Sequence, residues 1–255
     1  SMILLLPLLA CREAEVAPPE IDQTTRELWT EWEDAEALEQ LIADFLLLTN
    51  DLDFEENWQE RSYTVTAFPR SEVDGIVEHD LDPADTFGLG VVFQSEHPPE
   101  RHMDLIRIED RTVVEASAPN LYTRTFIEGD PDCMLDRTCE LMRAHNLIRR
   151  ESFFYGTMTY EMNKDYRWIP SENGDALVAR AYQLAPNEET DNKVLLFQSY
   201  TLDIWIPADG GSRRYNMSWQ QTEVGSLNAS DIEGVLGAGI ETLMADQDEW
   251  LSENP

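Results

Sequence analysis

Residues 200–227 read YTLDIWIPADGGSRRYNMSWQQTEVGSL. The segment PADGGS (residues 207–212) is a turn by its Pro, Asp and Gly content. On either side, apolar and polar residues alternate with the period of two of a half-buried strand. Leu202, Ile204 and Ile206 share one face of the first strand, and Tyr215, Met217 and Trp219 share one face of the second. The stretch predicts a long antiparallel hairpin over residues 193–206 and 213–221. Ser230 and Glu233 then have the spacing of a capping box. Ile232, Val235, Leu236, Ile240, Leu243, Met244, Trp250 and Leu251 form the apolar stripe of a C-terminal helix.

Upstream of the hairpin, residues 151–162 and 175–182 read as strands. Residues 133–146 have helical period, with Leu135, Leu141 and Met142 as apolar positions. Residues 61–68, 89–94, 103–108, 111–116 and 121–127 read as strands, with a tight turn at Asp110-Arg111. Residues 72–87 are acidic and irregular and read as a surface loop. Near the N-terminus, Thr24 and Glu27 form a second capping box. Leu28, Trp29, Trp32, Ala35, Leu38, Leu41, Ile42, Phe45 and Leu46 follow at helical spacing as one amphipathic helix.

This order gives an α+β fold: a curved antiparallel sheet gripping a long C-terminal helix, with an additional N-terminal helix. From residue 165 to 251 the pattern resembles the helix-grip superfamily, which includes the START-type lipid-transfer domains. The resemblance is one of pattern and carries no diagnostic motif. It implies a cavity between sheet and C-terminal helix that holds a sterol, phospholipid or other apolar molecule. Phe154, Met158, Tyr160, Arg180, Tyr182, Ile204, Met217, Trp219, Leu236 and Leu243 are the expected lining. Met and aromatic side chains suit an adaptable apolar pocket, although such residues also fill solid cores. Arg180 would meet a polar head or pair with an acid.

The first residues, SMILLLPLLACREAEVAPPE, carry an apolar run that ends at Ala10-Cys11. It is too short for a membrane span, which needs about 20 residues, and fits the core of a signal peptide. Leu8-Leu9-Ala10-Cys11 resembles the bacterial lipobox, which implies lipidation of Cys11. No basic residue precedes Ile3, which departs from that pattern. The expected organisation is a signal peptide over 1–10, a lipidated Cys11 with an acidic, Pro-containing tether over 11–22, and one ligand-binding domain over 23–255. The implied location is the bacterial cell envelope, on the membrane. Cys133 and Cys139 remain for a disulfide in an exported chain. Six residues apart on one helix they would be about 9 Å apart, so the bridge requires the chain to bend back after residues 129–132.

Lys and Arg number 18 against 51 Asp and Glu, a net charge of −33. Only Lys164 and Lys193 are Lys. Such acidity repels phosphate backbones and argues against nucleic-acid binding. No nucleophile elbow, phosphate-binding loop, HExxH or CxxC motif occurs. Gly88-Leu-Gly90 reads as strand, and Gly234, Gly237 and Gly239 as close-packing positions in the last helix. His79 with Asp80, Asp82 and Asp85, and His97 with His102, read as parts of solvated loops. The expectation is a binding protein with no catalytic residue, no cofactor and no metal. Its alternative is an acidic interaction protein, an immunity or assembly factor with a solid core and a basic protein partner.

Overall fold

The computed structural model describes residues 15–49, 62–77, 79–114, 121–152, 156–189, 194–225 and 227–255. Strands β1 (Glu15–Val16), β2 (Ser62–Val65), β3 (Phe87–Ser95), β4 (Leu121–Glu128), β5 (Met142–Ser152), β6 (Gly156–Ile169), β7 (Ala176–Gln183), β8 (Glu188–Glu189), β9 (Val194–Ala208) and β10 (Gly211–Val224) form one curved sheet. Its order is β1-β2-β3-β10-β9-β7-β6-β5-β4, with β8 on β6. From β2 to β4 every pairing is antiparallel, and only β1 runs parallel to its neighbour. The helices are α1 (Pro19–Thr30), α2 (Ala35–Thr49), α3 (Arg70–Val73), α4 (Pro99–Ile106), α5 (Pro131–Leu135) and α6 (Ala229–Glu253).

The β9–β10 hairpin turns at Asp209-Gly210, where Gly210 has φ +81°. Its apolar alternation buries Leu202, Ile204, Ile206, Tyr215, Met217 and Trp219 in the largest core, together with Trp29 of α1 and Phe45 of α2. Trp29 stands edge-on to Tyr200 at 5.6 Å, and Phe45 edge-on to Tyr215 at 4.8 Å. The opposite face carries α4, α5 and α6. Met103 and Ile106 pack on Leu177, Ala179 and Trp205, and Ile240 and Met244 of α6 pack on Leu89 and Val91 of β3. The sheet is thus covered on both sides, by the N-terminal helices on one and by α4 and α6 on the other. On β3, a Cβ at Gly90 would lie 2.7 Å from the Tyr63 ring, so the strand pairing itself requires glycine there.

Several elements differ from the sequence reading. The N-terminal helix is two helices, broken at residues 31–34. Pro18-Pro19 starts the first, Thr24 and Thr25 lie within it, and the Asp34 side chain caps the second through the Ala37 N–H. Residues 103–108 are mainly helix, because Pro98-Pro99 opens α4. Residues 111–113 form a 3-10 turn capped by Asp110, while 115–116 lie outside the described residues. The helical reading of 133–146 is replaced by short α5 and by β5, which begins at Met142. The box that starts α6 is Asn228 with Asp231, two residues earlier than read. Gly234 and Gly239 have open space where a Cβ would stand, so neither serves close packing, while Gly237 is buried. Residues 15–22 belong to the folded body: Glu15–Val16 pairs with β2, and α1 starts at Pro19. Cys133 and Cys139 form a disulfide with Cα atoms 5.3 Å apart. The chain bends back as required, with α5 ending at Leu135 and Arg137 at φ +57°.

Candidate functional site

Antiparallel register assigns every side chain to a face. On the α6 side, Ala144, Lys164, Ala181, Thr201 and Ser218 stand directly across from one another on β5, β6, β7, β9 and β10. Apart from Lys164, this row is built of small side chains. The hairpin's other face carries Tyr, Leu, Ile, Met and Trp. One end of the row is apolar: Tyr122, Ile148, Met162 and Ala181 cluster there, with half-buried Tyr160 against them and half-buried Met158 next along the strand. On the same face, α6 packs along β3. Ile240 and Met244 point at β3, while Gln247 reaches Arg214 on β10. Half-buried Leu236 packs on the same β3 cluster, and Leu243 is half-buried.

The other end is ionic. Asp203 accepts from Lys164 Nζ at 2.6 Å, from Arg214 at 3.2 Å and from Asn216 Nδ2 at 2.8 Å. Arg214 also donates to Gln247 Oε1 at 2.6 Å. Trp205 lies under both cations, 4.7 Å from the Arg214 guanidinium and 5.9 Å from Lys164 Nζ. Burial alone would raise the Asp203 carboxyl, but Lys164 and Arg214 hold it ionised, far below the ordinary range. Burial would likewise lower Lys164, and the Asp203 charge outweighs it, so the ammonium is held above its ordinary value. Two cations thus share one anion.

Beside this cluster, α4 and α6 are pinned to the sheet. Ser95 Oγ donates to Asp248 Oδ1 at 2.6 Å, and Ser212 Oγ donates to the His97 carbonyl at 2.7 Å. Both hydroxyl hydrogens are therefore committed. His102 Nε2, 3.1 Å from Ser95 Oγ and 3.3 Å from Ser212 Oγ, must be the donor to them. Its Nδ1 is bare and without a partner. Burial first, then the nearby Arg214 charge, pushes His102 down to about 3. Ser, His and Asp here do not form a relay: the carboxylate bonds to Ser95 and to the Glu96 N–H, not to the ring.

Of the residues the sequence pointed to, Met158, Tyr160, Leu236 and Leu243 lie on the α6 side. Arg180, Tyr182, Ile204, Met217 and Trp219 lie on the opposite face, buried under α1 and α2. Arg180 pairs there with Asp165 at 3.2 Å, bonds the Trp29 carbonyl at 3.3 Å and stacks near Trp32. It is a staple for α1. Phe154 and Cys11 lie outside the described residues. Lys164, Thr201, Asp203, Arg214, Asn216 and Ser218 were not singled out from sequence. For all but Lys164 the signal was present, as the polar half of the same alternation in YTLDIWI and RRYNMSW.

No protein family and no curated protein matches the sequence. Among solved structures, human StAR-related lipid transfer protein 5 is similar at TM-score 0.46 and 9% identity, over 87% of this chain and 98% of that one. A STAR-related lipid transfer protein fragment from Xanthomonas axonopodis is similar at TM-score 0.45 and 7% identity, over 66% and 87% of the two chains. Human STARD10 has TM-score 0.41 and 10% identity over 66% and 64%. The functional reading therefore rests on this chain's own side chains.

Proposed function

We propose that this protein binds and carries an apolar or amphipathic molecule between the sheet and α6, and that its work is binding and not catalysis. The supporting observation is the row Ala144, Ala181, Thr201 and Ser218 across the sheet, flanked by Met158, Tyr160 and Met162. A solid core on this part of the sheet would call for large side chains, as stand under α1 and α2 on the other face. Burial of a hydrocarbon chain contributes about 0.8 kcal/mol per methylene, and methionine adapts to its shape. The helix α6 is held by the Ser95–Asp248 and Arg214–Gln247 bonds. Loosening of these would admit a ligand.

Anchoring through a lipidated Cys11 in a bacterial envelope completes the proposal. No helix among the described residues is long and apolar enough to cross a membrane. Three residues lie between Cys11 and Glu15, where pairing with β2 begins. A span that short reaches at most about 14 Å when extended, so the body would sit against the bilayer, suited to exchange with it.

Native mass spectrometry of the protein from an oxidising compartment, with an organic extract of the same sample, tests the binding role. A mass excess matched by an extracted lipid is expected. Bare protein that also fails to take up added fatty acids, alcohols and sterols would refute it. Membrane fractionation of wild type and Cys11→Ser tests the anchor: the variant should leave the membrane fraction, and equal partition would refute lipidation.

A further inference from the structure

We propose that Lys164 and Arg214 form the head-group end of this site and select an amphiphile carrying one negative charge, a carboxylate being the simplest. The inference rests on the binding role proposed above and adds the class of ligand.

The argument begins with charge. Lys164 and Arg214 face a single carboxylate, Asp203, so the cluster carries one excess positive charge. Neutral His102 adds none. The chain has a net charge of −33, so an unbalanced cation is not a consequence of composition. Lysine itself is rare here: of 18 basic residues only two are Lys. An ammonium presents three donors on a compact head, and Asp203 is the acceptor that Lys164 Nζ bonds.

Unpaired polar atoms lie in the same cluster. Arg214 Nε and Asn216 Oδ1 are buried and have no hydrogen-bond partner. A buried ion cluster is a poor source of stability compared with apolar packing, and leaving a donor and an acceptor unmet adds a desolvation cost. A monoanionic head would neutralise the excess charge and accept from Arg214 Nε. A hydroxyl head would leave the charge in place. Lys164 is the least buried of the three, its side chain 16% exposed, while Asp203 and Arg214 are at 3% and 5%. From Lys164, Met162 is two residues along β6 on the same face, and Ala181 is its direct partner on β7. The cation therefore adjoins the apolar end, which places head and tail of one molecule.

The 255-residue chain, stripped of host lipid, is titrated by calorimetry with oleate, oleyl alcohol and acetate below micellar concentrations. Oleate should bind at least about tenfold more tightly than oleyl alcohol, and acetate should not bind at millimolar concentration. Lys164→Gln should lower oleate affinity about tenfold and narrow the gap between oleate and oleyl alcohol. Equal affinity of the wild type for oleate and oleyl alcohol overturns the charge selection while the apolar-carrier role stands. Acetate binding as tightly as oleate assigns the site to a free anion and overturns the amphiphile. Failure of both amphiphiles overturns the carrier role and this inference together. The wild-type comparison holds even where the variant folds poorly.

Discussion

Ser95 on β3 donates its hydroxyl hydrogen to Asp248 on α6, 2.6 Å away and 153 residues later in the chain. The same carboxylate accepts the Glu96 N–H at 3.1 Å. This side chain fastens the C-terminal helix to the sheet at the end where His102 and Arg214 also lie. Asp248→Ala should cost about 2–3 kcal/mol, the worth of hydrogen bonds to a charged group whose buried partner is left unmet. Urea denaturation of wild type and variant measures it. A loss under 0.5 kcal/mol would show that the helix is held by its apolar stripe alone.

Acid should release the same region. His102 has a folded-state value of about 3 against 6.5 for a free histidine. The native protein therefore binds fewer protons than the unfolded chain between those values. Stability is fully present above pH 6.5 and falls as pH drops toward 3, by up to about 1.4 kcal/mol per pH unit from this group. Protonation would add an N–H at Nδ1, which has no acceptor, beside Arg214 and His97. Replacing the ring in His102→Gln should flatten the pH–stability curve over this window by close to one proton. An unchanged slope would remove His102 as the cause.

On the opposite face, Asp165 is fully buried and shared by Arg143 and Arg180. Asp165→Ala leaves Arg180 buried with the exposed Glu33, at 3.4 Å, as its remaining carboxylate among the described residues. The loss should be about 3 kcal/mol or more, read by thermal melting, with α1 the element released. Affinity of surviving folded protein for an apolar ligand should not change, since this cluster does not face α6.

The disulfide closes a short loop, six residues in sequence. Reduction should lower stability by about 2 kcal/mol on chain-entropy grounds. A Cys133→Ser/Cys139→Ser double variant should match reduced wild type in a denaturant titration. A much larger loss would mean that packing of Cys139 against the core beside α4 and α5 matters more than the closed loop.

The hairpin and α6 were legible because each carries a long signal: strands of 15 and 14 residues whose central parts alternate, and a capped helix of 25 residues. Residues 103–108 were misread because six mostly apolar residues fit a strand or a helix equally, and the decisive mark, Pro98-Pro99, lies outside them. The expected lining divides between two faces for a different reason. Alternation says that Ile204, Met217 and Trp219 share a face with one another, but not which helix covers that face. The apolar face went to α1 and α2. Asp203, Arg214, Asn216 and Ser218 look like solvated positions in the sequence, and become an interior cluster only once α6 lies over them.

The central claim is that a ligand lies between α6 and the small-residue row, and one pair of variants tests it. Thr201→Phe places a ring on the α6 side of β9, whereas Met217→Leu changes the buried face under α1 and α2 with little change in volume. Titration of each folded variant with a fluorescent fatty acid should show binding lost in Thr201→Phe and unchanged in Met217→Leu. Full binding by Thr201→Phe, or loss confined to Met217→Leu, would contradict the account.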